Sequence, residues 1–130
     1  MTYREIYENA LRLVSESSVT GDTDDYEERA GYILANACCA CLPLDTSYRL
    51  ANKITKSNAS PTTFVELTES FPLCDIFTAP VAYYLAAMLV LDENESMSEK
   101  FFDLYSDALA GIQRDLPAQI KSVVDRYGLM

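Results

Sequence analysis

Apolar positions recur along most of this chain with the three-to-four-residue period of a helix. They are densest from Phe71 to Ile112, FPLCDIFTAPVAYYLAAMLVLDENESMSEKFFDLYSDALAGI. From Val81 to Leu91 every residue is apolar or aromatic, and a helix that is apolar all round has to be covered on more than one side. The run Ala79 to Leu91 is shorter than the roughly 20 residues a bilayer crossing needs, and Asp92 and Glu93 follow it at once. Protein must therefore cover it. Pro80 is predicted in the first turn of this helix, with Thr78 as its cap and a short turn at Cys74–Thr78 before it. Ser96 and Glu99 read as a capping box for the next helix. Its stripe is Met97, Phe101, Leu104, Tyr105, Ala108, Leu109 and Ile112, and the short acidic break folds it back antiparallel on the first.

Upstream, Thr2 and Glu5 form another capping box, followed by the stripe Tyr3, Ile6, Tyr7, Ala10, Leu11 and Val14. SESSVTG ends that helix near Ser15, with Gly21 as the turn residue. A second helix opens on the acidic run Asp22–Glu28, where the positive end of its dipole favours carboxylates. Tyr26, Ala30, Ile33, Leu34, Ala37, Cys38 and Cys41 mark its buried face, Gly31 marks a close helix contact, and Pro43 is expected to stop it. Asp45 is expected to cap a short helix through Asn52, and KITKSNASPTT reads as loop. Phe64, Val65 and Leu67 predict a short helical turn or a strand docked on the core. After Pro117, residues Ile120, Val123, Val124 and Tyr127 keep helical spacing up to Gly128, yet suit an extended arm as well.

The fold class expected is mainly α: one domain, 1–130, forming a compact bundle of about four to five helices around a central apolar hairpin, with a possible short β or extended arm. Residues 1–60 supply the N-terminal helices and loop, 61–116 the central hairpin, and 117–130 the C-terminal arm or short helix.

Charge narrows the partners. The net charge is −10 and the pI about 4.3, which opposes attachment to nucleic acid phosphates and to anionic membranes. No apolar core of signal-peptide length follows Met1, so a reducing cytoplasm is expected, with Cys38, Cys39, Cys41 and Cys74 as thiols. A four-thiolate zinc site is the alternative to buried cysteines packing as small apolar groups. An EF-hand loop starting at Asp22 fails, because Tyr26, Glu27 and Ile33 stand where a ligand, a glycine and a carboxylate belong. The chain has no histidine, the side chain best suited to proton transfer near neutral pH. Gly21, Gly31, Gly111 and Gly128 lie too far apart for a phosphate-cradling loop. No catalytic, cofactor-binding or metal-binding residue is assigned, no cofactor is expected, and an enzyme is not.

What is left is association. Tyr83, Tyr84 and Met88 are the bulky members of the all-apolar helix and the candidates for contact with a partner. Arg49, Lys53 and Lys56 form the basic cluster, set on one face if helical. Their readings are a solvated face, a weak phosphate site, or a complement to Asp24, Asp25 and Glu28 of a neighbouring copy.

The run FVELTESFPLCDIFTAPVAYYLAAMLVLDENESMSEKFFDLYSDAL resembles the C-terminal helical hairpin of head–tail connector proteins from tailed double-stranded DNA phages and prophages. The matching elements are Leu67–Thr68, the lead-in Phe71–Asp75, the apolar helix Ala82–Leu91, the acidic loop Asp92–Glu95, and the pair Phe102 and Tyr105. DTDDYEERAGYILANAC, Asp22 to Cys38, is similar to that family's first long helix. Cys74 departs from the pattern, which often has proline there, and so does Tyr84, where a small residue is common. The resemblance implies a non-enzymatic ring of identical subunits beneath the portal, joined to tail or stopper proteins. It also implies assembly in the cytoplasm of a bacterial host and a final place in the virion neck, without sequence-specific DNA binding or a membrane. The rival reading is a small acidic bacterial adaptor or regulator that binds one protein partner through the apolar helix.

Overall fold

A computed structural model describes residues 1–14, 23–55 and 59–116, with only the backbone at 23 and 24. Four α-helices are present among them: α1 (Tyr3–Leu13), α2 (Thr23–Ala51), α3 (Thr78–Leu89) and α4 (Glu95–Arg114), with a 3-10 turn at Asp75–Phe77 before α3. The fold is mainly helical, packed around the α3–α4 hairpin. The expected end of α1 near Ser15, the SESSVTG turn, Lys56 and the segment from Pro117 onward lie outside the described residues, as do the side chain of Asp24 and with it that residue's expected contact.

α3 sits at the centre, packed against α1, α2 and α4. Val81, Ala82, Leu85, Ala86, Ala87 and Leu89 are all buried. Alanines on several sides let three helices approach one short rod, and burial of each leucine or valine contributes about 1.5–3 kcal/mol. Its start differs from expectation. Phe77 occupies the cap position with no side-chain bond, and Thr78 is the first helical residue. The Thr78 hydroxyl donates to the Asp75 carbonyl at 2.8 Å and so is not available as a cap. Pro80 falls in the first turn, where no intrahelical N–H bond is lost.

α4 begins at Glu95 because Asn94 is the cap, its side chain accepting from the Met97 N–H at 3.0 Å. The expected Ser96 box is thereby displaced: asparagine is at least as good a cap as serine, and it stands two residues earlier. The five residues Val90–Asn94 connect α3 to α4. Buried Ser98 donates to the Ala87 carbonyl at 2.8 Å, which fixes the height of one helix against the other.

α1 keeps the Thr2–Glu5 capping box. Two more donors at its start are taken by an irregular segment far along the chain: the Tyr3 N–H by Glu69 O at 3.1 Å and the Arg4 N–H by Leu67 O at 2.9 Å. The Phe71 N–H donates to Met1 O at 2.8 Å, and Thr2 bridges Ser70. The stretch holding Phe64, Val65 and Leu67 is neither helix nor strand. It buries Val65 and Leu67 while giving its carbonyls to α1.

The main correction concerns α2. Pro43 does not stop it: the helix runs on to Ala51. An interior proline costs about 3 kcal/mol, and packing on both sides of it offsets this. Leu42, Leu44 and Tyr48 lie against the core, and the Tyr48 ring meets Phe77 edge-on at 6.3 Å. Asp45, expected as a cap, is instead fully buried inside the helix. It pairs with Arg49 Nε at 2.9 Å and accepts from the Cys74 N–H at 2.9 Å. Arg49 donates onward to Thr55 O at 2.8 Å and Pro72 O at 3.1 Å. This network binds the end of α2 to the stretch leading into α3.

Candidate assembly surfaces

The α3–α4 seam carries a strip of large apolar side chains that the described residues cover only in part. Tyr84 packs against Phe102 at 6.0 Å and against Tyr105 at 5.2 Å between ring centroids. One turn on from Tyr84 is Met88, and one turn on from Tyr105 is Leu109. All five are half-buried, and Leu91 at the end of the strip is 43% exposed. Helical spacing of three and four puts each set on one side of its helix. Burial of the Tyr105 hydroxyl and the nearby Cys41 thiol raise its pKa, so this phenol stays uncharged at neutral pH. Tyr84, larger than the residue common in the resembled pattern, is the centre of this aromatic cluster.

Tyr83, named with Tyr84 and Met88 from sequence, is half-buried against the core. Among the described residues, Arg49, Lys53, Asp25 and Glu28 are not gathered into one cluster. Arg49 is spent inside the fold, its side chain 15% exposed. Lys53 is exposed, but it sits past the helix end with φ 56°, so it does not continue the helical face of Arg49. Asp25 is paired with Arg29 at 3.1 Å. Glu28 is exposed and lines a cleft.

That cleft, about 330 Å³, lies between α2 and the irregular segment. Gly31 makes it possible. A Cβ there would stand 2.4 Å from Phe64 Cε1 and 2.6 Å from Val65 O, so only glycine lets the segment seat on α2 and place the Val65 N–H 3.2 Å from Gly31 O. The close contact expected at Gly31 is real, but it is made with irregular chain and not with a helix. Phe64 is thereby laid against Tyr32 at 4.8 Å, both rings open to solvent. Glu27, Glu28 and Glu66 also line the cleft, with Glu27 held by Arg4 at 2.9 Å.

Sequence reasoning missed Tyr32, Phe64, Leu50 and Ile54 as exposed positions. A signal existed for two of them. Tyr32 stands on the row with Glu28 and Asn36, and Leu50 on the row with Thr46, which is the polar side of α2.

The thiols are built for packing. Burial pushes Cys38 and Cys41 up to about 11, so both are protonated at neutral pH and neither is a ready nucleophile. Cys38 lies 3.6 Å from the Tyr3 hydroxyl. Among the described residues no three cysteine, aspartate or glutamate side chains converge as metal ligands, and no helix is long and apolar enough to cross a membrane.

Comparison of the chain with protein families, with curated proteins and with solved structures found no match.

Proposed function

We propose that this chain is a structural assembly protein of the phage head–tail connector type, whose copies pack into a ring that joins the DNA-filled head to the tail. The observation that supports it most is the half-covered seam of Tyr84, Met88, Leu91, Phe102, Tyr105 and Leu109. Aromatic and methionine side chains are enriched where proteins meet, and a contiguous strip of them along two helices is suited to docking another subunit. The sequence resemblance supplies the virion role. The negative charge suits the wall of a DNA passage, because like charge keeps the genome from adhering.

The test is negative-stain electron microscopy of the concentrated chain, alone and mixed with a portal ring encoded beside it. Rings seated on the portal are expected, and the exposed-edge variant Leu91→Asp is expected to abolish them. Failure of the chain to associate with itself or with the portal under either condition rejects the reading.

A further inference from the structure

The solvent-facing side of α2 carries a self-complementary pattern. From Gly31 to Leu44 the chain contains no charged residue, and Tyr32, Asn36, Ala40 and Pro43 within that stretch face solvent. At one end of the stretch Tyr32 is 55% exposed, next to Phe64 and the carboxylates of Glu28 and Glu66. At the other end Leu50 is 72% and Ile54 42% exposed, with exposed Lys53 between them. Tyr32 and Leu50 are separated by about five full helical turns, so they share one face about 27 Å apart.

From this placement we infer that two copies of the chain pair through α2, antiparallel and two-fold, each laying Leu50 and Ile54 against the Tyr32–Phe64 cleft of the other. A two-fold axis at the level of residue 41 puts position 32 opposite 50, and Lys53 and Ile54, just past the end of α2 and with Ile54 beside Leu50, come to the Glu28 end of the partner. The acidic rim of each copy then meets the Lys53 end of its partner, and the uncharged middle stretches face each other. Both contacts form at once because both patches lie on one face, which is the condition for an isologous interface. Charge sets the register: a parallel arrangement would bring Glu28 against Glu28 and Lys53 against Lys53. The pair is independent of the ring reading, since it closes at two copies and leaves the α3–α4 seam open.

Sedimentation equilibrium of the full chain from about 10 µM to about 1 mM covers the range expected for a contact at the small, transient end of interface sizes. The Leu91→Asp chain, its seam blocked, is the background for every variant and is expected to reach dimer and no further. Leu50→Asp places a charge beside the partner's carboxylates and is expected to weaken the dimer at least about tenfold. Glu28→Lys and Lys53→Glu are each expected to be monomeric alone, yet to form a one-to-one heterodimer when mixed, because both contacts are then complementary. All three sites are exposed, and unchanged thermal unfolding of each variant confirms the fold. A Leu91→Asp chain that stays monomeric at every concentration overturns the inference, as does a dimer indifferent to Leu50→Asp, growth of the Leu91→Asp chain beyond two copies, or no rescue on mixing. Loss of rings in Leu91→Asp with the dimer intact bears on the seam alone, so the two readings fail separately.

Discussion

The α3–α4 hairpin and the junction around Asp45 are both buried, but they are held by opposite means. The hairpin is apolar, with one inserted polar contact, Ser98 to the Ala87 carbonyl. The junction is a polar network in which a carboxylate with no solvent exposure collects an arginine and a backbone N–H, while the arginine reaches two carbonyls. Apolar packing tolerates adjustment, because several neighbours share each contact. A buried charge does not, since whatever loses its partner remains desolvated. The junction therefore fixes one position of the chain at the end of α2, whereas the hairpin contributes apolar burial at the centre of the core.

Removing the carboxylate tests this contrast most severely. Asp45→Ala leaves Arg49 unpaired in a mostly buried position and the Cys74 N–H without its acceptor, and a loss of about 3–5 kcal/mol is expected in chemical denaturation. Asp45→Asn keeps an acceptor and should lose less. Next in size is Gly31→Ala, where the new methyl group meets the Val65 carbonyl as well as the Phe64 ring. A cost of about 1–3 kcal/mol is expected, and hydrogen exchange at the Val65 amide should accelerate. The smallest effect belongs to the hairpin: Ser98→Ala removes one hydrogen bond in a continuous apolar contact and should cost about 1 kcal/mol. If Ser98→Ala proved as damaging as Asp45→Ala, the contrast between the two regions would fall.

The same division explains what could be read from the residues. α1 with its capping box, the buried face of α2 and the stripe of α4 follow from helical spacing, because those faces are set by neighbours three and four positions away. Pro43 and Asp45 misled for one reason. Taken locally, a proline followed by an aspartate ends one helix and starts another, whereas the outcome is decided by Cys74, Pro72 and Phe77, about 30 residues further on. Ser96 yielded to Asn94 in a choice between two good caps that spacing alone does not settle. Of the contact residues named from sequence, Tyr84 and Met88 lie on the seam because an all-apolar helix must turn some face outward. Arg49, its charge matched by Asp45 one turn back on its own helix, belongs to the buried junction.

The backbone bonds at the start of α1 bear on the order in which the chain folds. Its amides at positions 3 and 4 reach carbonyls at 69 and 67, so those bonds close only when most of the chain has been brought together, while the α3–α4 contact spans a five-residue turn. Short loops cost less entropy to close than long ones. The hairpin is thus expected to gain protection early in pulse-labelled refolding, with the first turn of α1 locking last.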